Sequence, residues 1–325
     1  GPRSAADDWQ VSYDPEIYEV AINGETVALE RLESPRAHTF SRDGKTLFVG
    51  TSWFLRAYDE DRKERWSTEL TGAAQLLNTS LDDRWLVASL SDGTIRWFRT
   101  TDGALVLSLF PHANGEDWIA WIPEGYYMSS LYGDELIGWH INNGWATAPD
   151  FYKAVQFERL LYRPDVVRAY LQSYGNPASI DAILGTDSFT IADLASIAPP
   201  KLVANTTTAP GTGTTRLEIS AESGPLPMQE ISVYVNGIPI NAARDRRVRI
   251  SESGELSRSY ELPLATGENQ VRVEVSNGSS LGIEDLWVDG AASGQKKPGD
   301  LYLLSVGVSQ FVDKDVPDLR YAALS

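Results

Sequence analysis

A turn-and-strand pattern that returns after 39 and then 42 residues limits the fold of this chain more than any other feature. Its turns are centred on Asp43, Asp82 and Glu124, and short runs of alternating apolar and polar residues follow each of them. The runs cover residues 47–50, 54–58, 86–89, 95–98, 126–128 and 137–139. Alternation with a period of two is typical of half-buried strands, and Asp-Gly turns supply the positive φ that tight hairpins need. The first 140 residues are therefore predicted to form antiparallel sheets in series.

These units resemble WD repeats, in which each unit of about 40 to 45 residues holds four short antiparallel strands. The units lack a clean Gly-His and Trp-Asp pair, so the resemblance is degenerate. Three units are visible and a partial fourth covers 9–32, whereas a closed propeller has about four to eight blades. The resemblance implies WD-like β-propeller blades over residues 9–149. It leaves open whether further blades close the ring or another element covers the last sheet.

Residues 150–200 change period and are predicted to form a helical connector. Its first helix is expected to stop before Pro164, and its second before Gly175. The predicted helices cover residues 151–161, 165–174, 179–184 and 190–197. The simplest role for this connector is to cover the open side of the last blade.

Residues 201–290 are predicted to form a β-sandwich of short strands. The strongest local signal is Asn236-Gly237 between alternating apolar residues, which predicts a hairpin. The Thr-, Gly- and Pro-rich stretch at 206–215 predicts a loop. The segment resembles an immunoglobulin-like domain in architecture only, because the chain has no cysteine for the disulfide of antibody domains.

Charge and cysteine content exclude several functions. The formal net charge is −17, so nucleic acid and anionic membranes would be repelled and neither is an expected partner. No apolar run approaches the roughly 18 residues of a membrane-spanning helix. The absence of cysteine excludes a disulfide, a thiolate metal site and a cysteine nucleophile within these residues.

The C-terminal residues have a different character from the rest of the chain. A linker of Gly, Ser, Lys and Pro at 291–299 leads into a continuous apolar run at 301–308, which is typical of a strand buried in a parallel α/β sheet. The segment 303–311, followed by a helix start at 318–323, resembles the first strand and first helix of a caspase-fold peptidase. Residues 300–325 are therefore predicted to begin such a domain. The first strand of any doubly wound fold would also fit the apolar run.

The order of the segments strengthens this resemblance. In bacterial caspase-family proteins, WD-like repeats, a helical segment and an immunoglobulin-like domain precede the peptidase, and residues 124–164 look like their junction. The family uses a His–Cys dyad in which imidazole activates the thiolate, and both residues lie beyond the first strand and helix. The resemblance therefore assigns no catalytic residue, no cofactor-binding residue and no metal ligand to this chain. It implies no cofactor and no hydrolysis by the chain alone.

Two groups of polar residues could carry other chemistry. His38, His112 and His140 are scattered, so a metal site is not expected. The acidic runs at 59–61 and 82–83 could pair as in glycoside hydrolases, but aspartate is also favoured in turns.

Three further groups have simple structural interpretations. Asp313, Asp315 and Asp318 resemble a cation loop without the Gly and the distal Glu of a calcium hand. Aromatic residues such as Trp97 and Trp139 occupy alternating strand positions, which favours core packing over an interface. The basic cluster 244–247 is a solvated hairpin tip or, alternatively, an interdomain salt contact.

We expect a non-catalytic regulatory or substrate-recruiting scaffold of a caspase-like cysteine endopeptidase. Its expected partners are the remaining peptidase portion, in the same gene or a separate chain, and protein substrates or regulators. The bacterial cytoplasm is slightly favoured over the periplasm as its compartment. The alternatives are a stand-alone protein-interaction or carbohydrate-binding β-scaffold, and an enzyme that acts through blade carboxylates.

Overall fold

The computed structural model of the chain describes residues 9–14, 19–27, 29–142, 145–146, 148–185, 189, 191–208, 214–240 and 254–290. The linker at 291–299, the caspase-like segment at 300–325 with its acidic trio, and the basic cluster 244–247 lie outside the described residues. Within the described residues the fold is mainly β, as the sequence predicts, and strand pairing inside its six sheets is antiparallel. No helix of this part is long and apolar enough to span a membrane.

Two small sheets begin the fold. The N-terminal sheet contains β1 (Val11–Asp14), β2 (Glu19–Ile22) and β3 (Glu25–Val27). The next sheet is a meander of β4 (Pro35–Phe40), β5 (Leu47–Thr51), β6 (Phe54–Tyr58) and β7 (Glu64–Glu69). Every residue of β5 is buried, because the meander is covered on both faces. This sheet contains the strands predicted at 47–50 and 54–58.

A six-stranded sheet follows. It contains β8 (Ala74–Thr79), β9 (Trp85–Leu90), β10 (Ile95–Arg99), β11 (Leu105–Pro111), β12 (Trp118–Trp121) and β13 (Tyr127–Ser129), in the spatial order of the sequence. The third repeat unit is therefore divided: its strand predicted at 126–128 joins this sheet as β13, and its strand predicted at 137–139 lies in a separate two-stranded sheet. The turn at 112–117 is short enough for Trp118 to pair with Pro111, so β12 and β13 extend the second sheet.

The turn before β5 and the turn before β9 have the same hydrogen bonds. The Ser41 hydroxyl donates to Asp43 at 2.6 Å, and the equivalent Ser80 hydroxyl donates to Asp82 at 2.5 Å. In both turns the serine oxygen also accepts the amide N–H five residues later. Side chains that bond the backbone of their own turn fix its geometry. The sequence repeat is therefore a repeat of turn structure.

Each of these turns is also attached to the sheet before it. The Trp9 indole N–H donates to the Gly44 carbonyl at 2.8 Å. One repeat later, the Asp83 carboxylate accepts the Arg42 amide N–H at 2.9 and 2.8 Å. Gly44 and Asp83 both have positive φ, at 76° and 53°. The same position of the repeat thus links consecutive sheets.

Apolar clusters fill the spaces between these sheets. One cluster joins Phe48 and Leu55 of the meander to Leu77, Leu86 and Phe98 of the six-stranded sheet. Burying one such side chain contributes about 1.5–3 kcal/mol. A second cluster joins the meander to the N-terminal sheet. Packing of neighbouring sheets face to face, rather than propensity of single strands, stabilises this half of the molecule.

The connector begins with a hairpin and not with the helix predicted at 151–161. The strands β14 (Gly138–Ile141) and β15 (Asp150–Lys153) pair, so Phe151 and Tyr152 alternate as strand residues. A 3-10 helix at Ala154–Phe157 and α1 (Glu158–Leu161) follow. The apolar positions fit either period, and pairing with β14 decides between them.

The remaining helices of the connector occur where the sequence predicts them. They are α2 (Pro164–Gln172), α3 (Ala178–Leu184) and a 3-10 helix at Ile191–Ile197. Pro164 begins α2 at a position where its missing N–H costs nothing. Gly175, with φ 73°, follows its end. Buried side chains of α2 pack with Ile119 and Tyr127 of the six-stranded sheet.

The last described region has two sheets that share one apolar core. One sheet contains β16 (Lys201–Thr208), β17 (Thr215–Glu222) and β20 (Glu255–Leu262); the other contains β18 (Glu230–Val235), β19 (Ile238–Pro239), β21 (Gly267–Ser276) and β22 (Leu281–Gly290). Leu217 and Ile219 from the first meet Ile231 and Val273 from the second. The predicted Asn-Gly hairpin is confirmed. Residues 206–208, predicted as loop, are strand because they pair with 215–217.

Candidate binding surfaces

The three histidines are far apart in different elements. His38 lies on β4 with its ring 5.7 Å from Phe40, His112 follows β11, and His140 is exposed on β14. Within the described residues, no group of three or more His, Asp or Glu side chains is arranged to hold a metal ion. The structure therefore brings none of these histidines together.

Carboxylates of the two acidic runs form hydrogen bonds within their own turns. The Asp59 carboxylate accepts the backbone N–H groups of Asp61 and Lys63, at 3.1 and 2.9 Å. A hydrogen bond from Ser80 keeps the pKa of Asp82 below its ordinary value. A glycosidase needs a carboxylic acid whose pKa is raised. Asp59 and Asp82 therefore have a structural role in their turns.

The two tryptophans predicted to be core residues pack as expected. Trp97 lies against the cluster between the six-stranded sheet and the connector. The Trp139 ring lies 6.4 Å from Tyr127 and 5.8 Å from Phe157. Other large apolar side chains are exposed instead: Trp53, Leu131, Tyr132, Trp145, Phe151 and Trp287. The position of a large apolar residue in the sequence therefore does not predict whether its side chain is buried or exposed.

An apolar groove of about 430 Å³ lies on one face of β11, β12 and β13. Cross-strand pairing explains its composition, because Leu109 faces Ala120 and Ala120 faces Met128. Paired residues of antiparallel strands point to the same side of the sheet. The groove is lined by Leu107, Leu109, Pro111, His112, Gly115, Asp117, Trp118, Ala120 and Met128. Leu107 and Ala120 are buried at its floor, while Leu109, Trp118 and Met128 are half-buried.

Polar groups occur only at one end of this apolar groove. Asp117 is fixed there, since one carboxylate oxygen accepts the Ser130 hydroxyl at 3.1 Å and the other accepts the Asn114 amide at 2.7 Å. His112 lies at the same end. A concave, mainly apolar surface with a few fixed polar groups is typical of a recognition site rather than of a reactive one.

An ion triad with a buried Arg56–Glu33 pair stabilises the meander. Arg56 donates to both carboxylate oxygens of Glu33, at 2.9 and 2.7 Å, and to Glu64 at 2.6 Å. Glu33 also accepts the Thr51 hydroxyl at 2.7 Å. Burial raises the pKa of Glu33, but the hydrogen bonds from Arg56 and Thr51 outweigh burial and keep this pKa below its ordinary value. The triad lies inside one sheet and is structural.

A second surface, the junction cleft, lies where the connector region meets the sandwich. Its volume is about 310 Å³, and it is lined by Tyr132, Glu135, Tyr234, Gly237, Gln270, Arg272 and Glu274. Arg272 donates to Glu135 across the junction at 2.6 Å and to Asp285 within the sheet at 2.9 Å. These bonds raise the pKa of Arg272, so its charge is permanent. The cleft thus contains a cation that two carboxylates already pair.

Further hydrogen bonds hold the same junction closed. Gln156 donates to the Leu281 carbonyl at 3.1 Å, and Arg159 donates to the Ser276 hydroxyl at 3.2 Å. Behind the connector, Ser280 donates to the Ile197 carbonyl at 2.7 Å. All these contacts are polar, which is typical of interfaces between parts of a chain that can move relative to each other.

Burial raises the pKa of the Glu274 carboxyl group in the cleft, and nearby Arg272 only partly offsets this effect. Glu274 alternates with Val273 and Val275 along β21, so it lies on the outer face of the sandwich. Sequence reasoning missed both the groove and the cleft, because neither is a motif. The alternation in β21 signals an outer face but does not say what covers it, and β11, which is apolar at every position except Ser108, gives no such signal.

Comparison with known proteins gives little beyond the geometry. No family model matches the chain, and no curated protein matches it. Among solved structures, the chain is similar to the crystal structure of BamB from Moraxella catarrhalis at 13% sequence identity. That alignment covers 89% of this chain and 88% of the other, with a TM-score of 0.28. A superposition this loose defines neither fold nor function.

Proposed function

We propose that the chain is the non-catalytic, partner-recruiting scaffold of a caspase-like cysteine endopeptidase. In this proposal the N-terminal sheets are WD-like blades, residues 201–290 are an immunoglobulin-like sandwich, and residues 300–325 begin the peptidase domain. The apolar groove on β11–β13 is the observation that carries the recruiting role. The peptidase assignment itself derives from the sequence resemblance at 303–311 and 318–323.

The composition of the groove favours a protein partner over a carbohydrate. Leu109, Trp118 and Met128 offer apolar surface, with hydrogen-bonding groups only at one end. Sugars need several polar groups around an aromatic platform, whereas apolar anchors of a protein chain fit a groove of this kind. The exposed Trp53 and Trp287 line neither the groove nor the junction cleft in the described structure. Neither of these two surfaces therefore favours the carbohydrate-binding alternative.

The composition and two turn residues are compatible with a scaffold. The chain has no cysteine, the nucleophile of the peptidase family that it resembles. Asp59 and Asp82, from the two acidic runs, are turn residues whose carboxylates accept backbone N–H groups. Rigid β-surfaces that carry no chemistry are suited to position other proteins.

The first test asks whether a peptidase exists at all. The 325-residue chain is expected to hydrolyse none of a panel of fluorogenic peptides, whereas the product of the complete natural reading frame is expected to cleave some of them. Replacement of its nucleophilic cysteine by alanine should abolish that cleavage. A reading frame that supplies no His–Cys dyad, in this chain or in a partner, contradicts the peptidase assignment.

The second test concerns the groove. In the full-length protein, Leu109→Lys is expected to raise KM for protein substrates and to leave cleavage of short fluorogenic peptides unchanged, because only large substrates reach the groove. Leu81→Lys, at an exposed leucine of a turn outside the groove, is the matched control. Equal losses on both substrate types, or no loss on either, would argue against recruitment by the groove.

A further inference from the structure

One row of paired residues crosses all six strands of the six-stranded sheet. Its members are Leu76, Ser89, Ile95, Leu109, Ala120 and Met128. A second row beside it contains Asn78, Val87, Trp97 and Leu107. Paired residues of antiparallel strands point to the same side of the sheet, so both rows lie on one face, which we call the row face. The apolar groove is its β11–β13 end.

The row face is apolar and accessible. Neither of its rows contains a charged residue. Leu76 is 64% exposed, and the side chains of Val87, Ile95 and Trp97 are half-buried. The opposite face of the same sheet is covered, because Leu86 and its neighbours pack against the meander and Ile119 and its neighbours against the connector. An accessible apolar surface that crosses a whole sheet is typical of an interaction site.

The sequence repeat shows what contacts the equivalent face one unit earlier. Val87 follows Phe48 by the 39 residues of the repeat, and Val87 pairs with Trp97 as Phe48 pairs with Ala57. Phe48 and Ala57 belong to the cluster that packs the meander against the six-stranded sheet. The row face thus corresponds to a face that an antiparallel sheet covers in the preceding unit.

A second copy of the chain offers a sheet face that matches this one. Charged residues lie on the outer faces of other sheets, with Glu19 on the N-terminal sheet and Glu218 and Arg272 on the sandwich. Contact with the row face would take these charges out of water, which is unfavourable. The row face of a second copy has no such charge, and a two-fold interface brings the same surface of both copies together.

We propose that two copies of the chain associate through their row faces, about a two-fold axis. Packed sheets lie about 10 Å apart, with their strands within about 30° of each other. Six strands spaced about 4.8 Å apart make the row face about 25 Å wide. A contact of this width is at the small end for a protein interface, with a total buried area below about 1,200 Å². The dimer is therefore expected to be weak and reversible.

This dimer would cover the apolar groove, because Leu109, Ala120 and Met128 belong to the groove and to the row face. A second copy and a recruited protein then compete for one surface, so that dimerisation regulates recruitment. The competition rests on the proposed function, whereas the dimer itself does not.

The molar mass of the 325-residue chain over a range of concentrations, measured by sedimentation equilibrium, tests the dimer. Leu76→Glu should raise its Kd about tenfold or more, because the new carboxylate loses water against an apolar surface. Leu81→Glu makes the same change at a turn leucine that is 80% exposed and should leave Kd unchanged. Both leucines are largely exposed, so neither change should disturb folding, and thermal melts check this. A chain that stays monomeric up to about 1 mM, or a Kd that the two variants change equally, overturns the proposal.

Salt distinguishes this interface from an ionic one. Each copy has a net charge of −17, so two copies repel each other at low salt. At 1 M salt, charges are screened beyond about 3 Å, and the Kd of an apolar interface should therefore fall. A Kd that rises with salt would show that ion pairs hold the dimer and would contradict the proposal.

A spin label locates the interface. The chain lacks cysteine, so Ala113→Cys, in the exposed turn at the end of the row face, introduces one label per copy. Dipolar coupling between labels can then arise only between copies. A defined distance is expected, which Leu76→Glu abolishes and Leu81→Glu preserves; a distance that persists in Leu76→Glu at the same concentration places the dimer interface elsewhere and overturns the proposal.

None of these measurements uses peptidase activity. A monomeric chain thus leaves the proposed function untouched, and a missing peptidase leaves the dimer untouched.

Discussion

Two networks in this molecule have the same composition and different surroundings. Arg56 bridges Glu33 and Glu64, and Arg272 bridges Glu135 and Asp285, so each network has one guanidinium and two carboxylates. In the first network the Arg56 and Glu33 side chains are 8% and 0% exposed and that of Glu64 is 36% exposed, whereas all three side chains of the second network are 24 to 31% exposed. The first network lies within one sheet; the second joins two regions.

The difference shows that burial, and not the number of ion pairs, decides what such a network does. A buried charge that loses its partner has no water to replace it, so the Arg56 network cannot open without disrupting the meander. Water can replace either partner of Arg272 at small cost. The first network therefore fixes a structure, and the second permits two parts of the chain to separate.

Removal of the buried arginine is expected to have the largest effect. Arg56→Ala leaves Glu33 buried without its main partner and should lower the free energy of unfolding by about 3–5 kcal/mol. Chemical denaturation measures the loss, and hydrogen exchange should localise it to β4–β7. The double variant Glu33→Gln with Arg56→Met removes both charges and should be less destabilised than Arg56→Ala. A double variant as unstable as the single one would show that shape, not charge, matters here.

Truncation in the sandwich core should have an intermediate effect. Val273 lies next to Arg272 on β21 but points into the core and is fully buried. Val273→Ala should lower the free energy of unfolding by about 2 kcal/mol, from lost apolar burial and the cavity that remains. The same denaturation experiment checks it. A loss no larger than that of Arg272→Ala would contradict the assignment of the two faces of β21.

Acid should act in opposite ways on Glu33 of the first network and on Glu274, which lies beside the second. The folded pKa of Glu33 is lowered, so its contribution is present above the unfolded value of 4.5 and is lost as pH falls through the folded value. The pKa of Glu274 is raised, so its carboxyl group favours the folded state below 4.5 and loses this contribution as pH rises. Glu274→Gln should therefore stabilise the protein at pH 7 and not at pH 4. Thermal melts at both pH values, with Glu33→Gln expected to destabilise at pH 7, provide the check.

The exposed arginine should have the smallest effect on stability. Arg272→Ala is expected to change the free energy of unfolding by at most about 1 kcal/mol, as for partly exposed pairs. It should still loosen the junction, and faster hydrogen exchange is expected at residues 133–136. A loss comparable to that of Arg56→Ala would remove the contrast between the two networks.

Local structure was predictable from the sequence where a residue fixes the geometry of the turn that contains it. Asp43, Asp82 and Asn236-Gly237 set their turns through their own side chains or positive φ, so their hairpins are confirmed. The helix predicted at 151–161 begins only at Ala154, because Phe151 and Tyr152 fit both periods and their pairing with β14 makes them strand residues.

Surfaces were not predictable for a related reason. β11 is apolar at every position except Ser108, so its sequence does not distinguish a face that a neighbour covers from one that is open, and the groove has no sequence signal. The division of the third repeat unit was not predictable because a turn of six residues can end a sheet or continue it. The open face of β11 and the continuation of the six-stranded sheet both depend on which elements pack or pair with each other, and not on the sequence of any single strand.

Gly44 and Asp83 occupy the same position in two successive repeat units, and this allows further units to be added to the N-terminal sheets. Each turn offers one hydrogen-bond acceptor to the sheet that precedes it. The Gly44 carbonyl accepts the Trp9 indole N–H, and the Asp83 carboxylate accepts the Arg42 amide N–H. A duplicated 39-residue segment would bring its own attachment to the unit upstream, with no new contact to evolve. Growth and loss of whole units, rather than residue-by-residue change, is then the easiest path by which such an array varies in length.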